Sequence, residues 1–225
     1  FTQQHGRDGQ DVFRNFTFVG VMDDRYTAVQ LETRLLLIDH ARLSRHLFYQ
    51  LGVRRFACVP RLQLSTPVPV QGFIQLALDL PEAQWDAAKD RSKAEIVAEA
   101  ARVLLENADM LREYFGVDIA ATTSDEEEEE VGNEEGDEGG GEEAQRVVGS
   151  KKGGKQGLVE LLALPALLEG FTPRAAALPM FLLRLATDTK WEDEQECFHG
   201  VATHIATFYS ALVDSQRKYV PGAKP

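Results

Sequence analysis

Residues 16–39 read Phe16-Thr-Phe-Val-Gly-Val-Met-Asp-Asp-Arg-Tyr-Thr-Ala-Val-Gln-Leu-Glu-Thr-Arg-Leu-Leu-Leu-Ile-Asp39. Phe16 to Met22 is rich in aromatic and β-branched residues and predicts a strand. Met22-Asp23-Asp24-Arg25 predicts a turn. Tyr26 to Leu31 alternates as the returning strand. Glu32-Thr33 makes a second turn, and Arg34 to Ile38 a third, strongly apolar strand. Short strands joined by tight turns give an antiparallel sheet. Outward from it, Asp39 is placed to cap a helix carrying Leu43, Leu47, Phe48 and Leu51, with Gly52 at its end.

Beyond that helix, Phe56 to Leu64 predicts a further strand. Phe73 to Leu80 predicts a short helix ended by Pro81. Ser92 and Glu95 form a capping box. The following helix places Ile96, Ala100, Val103, Leu104, Leu111 and Phe115 on one face. Leu158 to Leu168 is apolar, interrupted by Pro165, and Leu178 to Ala186 predicts a short apolar helix. Thr189 and Glu192 match a second capping box. The last helix repeats Phe198, Val201, Ile205, Phe208 and Leu212 at helical spacing. The fold class expected is α+β, an antiparallel sheet first and helices packed on it later.

The chain has 225 residues, 44% of them hydrophobic, enough for one large domain or two small ones. Its net charge of −12 has a local source. Residues 125–143 hold twelve acids and no base; without them 24 acids face 24 bases. A chain basic or acidic throughout is thereby excluded. Residues 1–122 and 157–225 are expected to form the folded domain. Residues 123–156, acidic and glycine-rich, are expected to be a disordered insertion. The longest uncharged stretch, Leu62 to Leu78, is broken by Pro67 and Pro69 and dotted with glutamines, so no membrane span is expected. The chain opens on Phe1 rather than Met, which reads as a piece of a longer protein. Two distant cysteines, Cys58 and Cys197, suit a reducing compartment, and both are expected in the core.

Chemical motifs are sparse. There is no Gly-x-Ser-x-Gly elbow and no glycine-rich phosphate loop. His40 and His46 are six apart and His199 and His204 five apart, whereas two zinc ligands on one helix face are usually four apart. The acids of residues 191–196 read as complements to a helix dipole. Between Thr33 and Arg61 stand six arginines, Arg34, Arg42, Arg45, Arg54, Arg55 and Arg61, against one acid, Asp39. Arg42, Arg45, Arg54 and Arg55 are candidates for contact with DNA phosphates or an acidic partner, weighed against a plain basic surface.

Several short blocks occur in a telling order. They are Phe18-Val-Gly-Val21, Leu35-Leu-Leu-Ile-Asp39, Leu47-Phe-Tyr-Gln-Leu-Gly52, Leu76-Ala-Leu-Asp79, Met110-Leu-Arg-Glu-Tyr-Phe115, Leu178-Pro-Met-Phe181, Arg184-Leu-Ala-Thr187 and Trp191-Glu-Asp-Glu-Gln-Glu-Cys197. Together they resemble the C-terminal domain of a eukaryotic MutL homologue, the shared first subunit of the MutL heterodimers of DNA mismatch repair. The resemblance covers about residues 12–122 and 157–213.

The resemblance implies a nuclear dimerisation domain with a smaller attached subdomain. It implies pairing with a PMS-type or other second MutL subunit. It also implies docking of short aromatic-basic peptides of exonucleases and other repair proteins, contact with DNA mainly through the full complex, and no membrane partner. Glu194, beside the apolar positions Phe198 and Val201, is the candidate for the peptide's basic residue; the plain alternative is a solvated acid at a helix start. No cofactor is expected in this domain; ATP with magnesium belongs to a separate N-terminal domain of the family.

Endonuclease subunits of the family carry Asp-Gln-His-Ala-x-x-Glu, with another Glu five residues on. Here Asp39 keeps the Asp, His40 stands for Gln, Ala41 for His, Arg45 for the first Glu and Gln50 for the second. A guanidinium repels a divalent cation. No catalytic residue and no metal ligand is therefore expected. The family's extreme C-terminal tail, which reaches the partner's endonuclease site, has no counterpart up to Pro225. The chain is thus expected to bind a partner without completing the partner's site. Two other readings stand beside this one: a diverged metal-dependent nuclease using Asp39, His40 and another carboxylate, and a DNA-binding module using the 34–61 arginines.

Overall fold

The computed structural model describes residues 14–23, 25–122 and 157–211. The expected insertion at 123–156, Leu212 and the rest of the C-terminal stretch lie outside these residues. Strands β1 (Thr17–Val21), β2 (Tyr26–Leu31) and β3 (Arg34–Asp39) form an antiparallel sheet in that order. The Asp23 carboxylate closes the first turn by accepting the Arg25 and Tyr26 N–H groups, each at 2.7 Å. Phe18 pairs with Val29 and Gly20 with Ala28, so Val19 is a bulge. Helix α1 (His40–Arg54) follows β3 without a loop because Asp39 caps it, accepting the Arg42 N–H at 3.0 Å.

Gly52 does not end this helix. It lies buried within it, and the stop comes at Arg55, whose N–H bonds the Leu51 carbonyl. One internal glycine costs a helix only about 1 kcal/mol, too little to stop it here. The strand expected over 56–64 is displaced. Ala57 takes a left-handed φ of 60° and donates its N–H to the Tyr114 carbonyl at 3.1 Å, which makes 55–57 a turn. Strand β4 runs instead from Arg61 to Pro69. Cys58 falls before it and is exposed, against expectation; Cys197 is buried.

The single sheet expected is two sheets. The second has the order β4-β6-β5, with β5 spanning Asp118–Thr122 and β6 spanning Leu158–Pro165, all antiparallel. Pro67 and Pro69 sit on its edge strand, where a missing N–H breaks little of the ladder. Helix α2 (Val70–Leu78) begins three residues earlier than expected. Helix α3 (Lys93–Glu106) starts at Ser92, whose capping box with Glu95 is complete in both directions. A π-helical turn, Leu111–Phe115, then leads to Gly116 at φ 71°. An added Cβ there would lie 3.2 Å from Val59 Cγ1, so both conformation and space call for glycine.

Helix α4 (Leu178–Thr187) is buried nearly all round, and α5 (Glu194–Tyr209) packs beside it and against α1. Ile74, Leu104, Leu111, Leu161, Leu182 and Val201 are fully enclosed in the core these helices share with the second sheet. Phe181 stacks on Phe208 at 4.6 Å. The α+β class is as expected. Among the described residues no helix is long and apolar enough to cross a membrane.

Candidate partner and peptide surfaces

At the β3–α1 junction the Asp39 carboxylate is fully engaged. It accepts the Arg42 N–H and the Arg25 guanidinium, the latter at 2.9 Å. These bonds, the backbone N–H foremost, hold its carboxyl below the usual carboxylate range. His40 Nδ1 lies 3.1 Å from the Thr27 hydroxyl. Arg45 and Gln50 are exposed on α1. Among the described residues no three His, Cys, Asp or Glu side chains come together as a metal site.

The structure disperses the arginines. Arg42 and Arg45 share one side of α1, while Arg54 lies about 180° round from Arg45 at 3.6 residues per turn. The Arg55 guanidinium donates to the Ala166 carbonyl at 3.0 Å. Arg61 pairs with Asp118 at 3.3 Å. Arg34 opens β3 at the far sheet.

Glu194 is exposed in the first turn of α5. The cap is Asp193, which accepts the Glu196 N–H at 2.8 Å, and not the Thr189–Glu192 box expected. Asp193 takes the role because 188–193 is a turn: Trp191 Nε1 reaches back to the Ala186 carbonyl at 3.1 Å, and Lys190 pairs with Glu196. One helical turn after Glu194 comes Phe198. Its ring lies 5.2 Å from Phe56, 5.6 Å from Tyr114 and 5.9 Å from Phe115, and Phe56 stacks on Tyr114 at 5.0 Å. Phe56 is 37% exposed. Val201 is fully buried and offers a ligand nothing. The partly exposed aromatic cluster that begins one helical turn after Glu194 is Phe56–Tyr114–Phe198. Sequence reading missed Phe56 and Tyr114, because only the Ala57–Tyr114 backbone bond and tertiary packing bring them to α5.

The first sheet carries the most exposed large apolar side chains among the described residues. From the strand pairing, Phe18, Val21, Leu36 and Ile38 share one face with Val29, and Leu35 and Leu37 share the other with Ala28. Phe18 is 58% exposed, Val21 66%, Leu35 66% and Leu37 64%. On α1, Leu43 and Leu47 are exposed too. Ala28 and Val29 are buried but stand outside the main core.

Comparison with known proteins bears on these surfaces. The family model for the DNA mismatch repair protein Mlh1 C-terminus matches residues 1–221. The chain is 29% identical over 208 residues to DNA mismatch repair protein Mlh1 of Dictyostelium discoideum, covering 92% of this chain and 19% of the relative. It is 28% identical over 207 residues to DNA mismatch repair protein MLH1 of Saccharomyces cerevisiae, covering 90% and 22%. A putative MutL protein homolog 1 of Schizosaccharomyces pombe is 25% identical over 189 residues, covering 84% and 21%. The chain thus spans about a fifth of the length of these curated relatives.

Proposed function

Because this chain belongs to the Mlh1 C-terminus family of DNA mismatch repair proteins, we propose that it is a pairing and docking domain of a mismatch-repair MutL protein. In this reading it heterodimerises with a PMS-type second MutL subunit and works in the nucleus. The observation that carries it is the uncovered first sheet, with Phe18, Val21, Leu35 and Leu37 more than half exposed on its two faces. Phe18 and Val21 expose one face and Leu35 and Leu37 the other, and exposed apolar patches of this kind mark interaction sites. Light scattering after size-exclusion chromatography tests the pairing, on the chain alone and mixed with a PMS-type C-terminal domain from the same organism. A stable one-to-one complex is expected. A monomer in both runs, repeated with a C-terminally extended chain, would count against it.

The second surface takes the peptides. An aromatic-basic segment of an exonuclease or other repair protein would set its cation on Glu194 and its ring on the Phe56–Tyr114–Phe198 cluster. Glu194→Ala is expected to weaken binding of such a peptide about tenfold, within the range for a charge-assisted contact. Unchanged affinity in titration calorimetry would remove Glu194 from the site. Catalysis is assigned to the partner. Asp39 is held by Arg25 and the helix start, and Arg45 stands where a carboxylate is needed. The nuclease alternative requires nicking by the isolated chain that Asp39→Ala abolishes. No cofactor is assigned to this domain, and residues 123–156 are taken as a spacer.

A further inference from the structure

A groove of about 390 Å³ runs between α1 and α5. Arg45, His46, Tyr49, Gln50, His199 and Thr203 line it, and no acid does. The nearest acids in sequence are already paired: Asp39 with Arg25, and Glu196 with Lys190. Arg45, His46 and His199 are exposed, and among the described residues Arg45 and His46 have no side-chain hydrogen bond or ion pair. The Tyr49 hydroxyl and His199 Nδ1 lie 2.9 Å apart, with the rings edge to face at 5.6 Å. That contact fixes the imidazole while leaving it open to solvent. Arg42 stands one turn nearer the start of α1, on the same side as Arg45.

We propose that this groove seats one nucleotide of a single DNA strand, with its phosphate on Arg45 and its base against His199 and Tyr49. A guanidinium beside aromatic rings is a combination that single strands recognise, because every base has a π-face and every linkage a charge. The volume falls at the small end of ligand pockets, about 300–1,000 Å³, which fits one nucleotide rather than a long peptide. A duplex keeps its bases stacked and can offer the groove only phosphates. Arg42 is positioned to take the adjoining phosphate.

The test uses the full 225-residue chain and fluorescence anisotropy of a labelled oligothymidylate, with a duplex of equal length as comparison. Single-strand binding at least about fivefold tighter than duplex binding is expected. His199→Ala is expected to weaken it by about 5- to 100-fold, the range for loss of one stacking contact. Arg45→Gln is expected to weaken it about tenfold and to lower the salt slope by about 1. Arg34→Gln, at the start of β3, is the control and is expected to change affinity by less than about twofold. All three positions are exposed, and unchanged melting curves would show that the variants fold. Equal binding of duplex and single strand would overturn the proposal. So would an unaltered Kd in both groove variants, or an equal loss in Arg34→Gln. Displacement of the oligonucleotide by polyglutamate as readily as by unlabelled oligonucleotide would also overturn it, because the groove would then be a general anion site.

Discussion

The Thr189 hydroxyl is buried without a hydrogen-bond partner among the described residues, and a Cβ added at Gly200 would sit 3.6 Å from its Cγ2. This residue sits at the start of the misread capping box, so its substitution separates two structures. If it capped a helix, Thr189→Val would cost about 1 kcal/mol. In the observed fold it removes an unsatisfied buried oxygen and keeps the shape. We expect stabilisation of about 1 kcal/mol, read as a higher urea midpoint at unchanged slope. His204 makes a second residue-scale prediction. Burial holds its imidazole below the usual histidine range; Arg184 of α4 pushes the same way and Asp188 opposes. The folded state therefore binds fewer protons than the unfolded chain below the unfolded pKa of about 6.5. Stability is full above that value and falls as pH drops from there toward the folded pKa. His204→Gln is expected to flatten this part of the melting-temperature profile between about pH 7 and 5. An identical slope in both proteins would sink the assignment. The cysteines show how a residue's surroundings escape its sequence. Cys58 sits among apolar neighbours in the chain and looks buried. The left-handed turn at Ala57 instead puts it at the surface, while Cys197 sits in α5 against the core, where burial raises its thiol pKa.

At the scale of the element, local chemistry made the first sheet readable. Its turns are two to four residues long, and Asp23 closes one with its own carboxylate. Helices α1, α3 and α4 were readable from caps and apolar spacing for the same reason. Strand β5, Asp118–Thr122, carries little signal of its own: its five residues include two alanines and an aspartate. It is a strand because β6 lies beside it, and β6 arrives only after residue 157. β6 itself is an apolar run that could serve a buried strand or a buried helix, and periodicity alone does not separate these. What local patterning could not show was how much of the first sheet would stay uncovered. Leu35 and Leu37 look like core residues in the sequence and are about two-thirds exposed in the fold. That contrast makes them the sharpest test of the interface. Leu35→Asp with Leu37→Asp should leave the chain's own melting within about 0.5 kcal/mol, as exposed substitutions usually do. The same pair should abolish a heterodimer that buries this face. A complex of unaltered affinity by light scattering would move the interface elsewhere.

At the scale of the whole molecule, distant pieces make each surface. The proposal for Glu194 starts from a family resemblance. Its aromatic companions come from a turn near residue 56, the π-helical turn near 114 and α5, and no spacing in the chain announces that meeting. The same holds for Tyr49 and His199, 150 residues apart and hydrogen-bonded. The fold also bears on the acidic segment through the residues that flank it. Thr122 is the register partner of Leu158 in the antiparallel β5–β6 pair. The chain therefore leaves and re-enters the sheet at neighbouring positions, as it would through a hairpin turn. Residues 123–157 should be replaceable by Asn-Gly, the pair suited to a two-residue type I′ connection. Closing a loop costs less as it shortens, so the shortened chain is expected to be more stable by up to about 2 kcal/mol. Its far-ultraviolet dichroism should keep the strand and helix signal of the folded parts, and its affinity for a PMS-type partner should be unchanged. A loss of cooperative unfolding would mean that the segment supports the second sheet. A lost partner with folding intact would mean that it takes part in pairing. Retention of both would leave it the role of a spacer, and the two halves of the chain would be one folded unit that the acidic stretch merely interrupts.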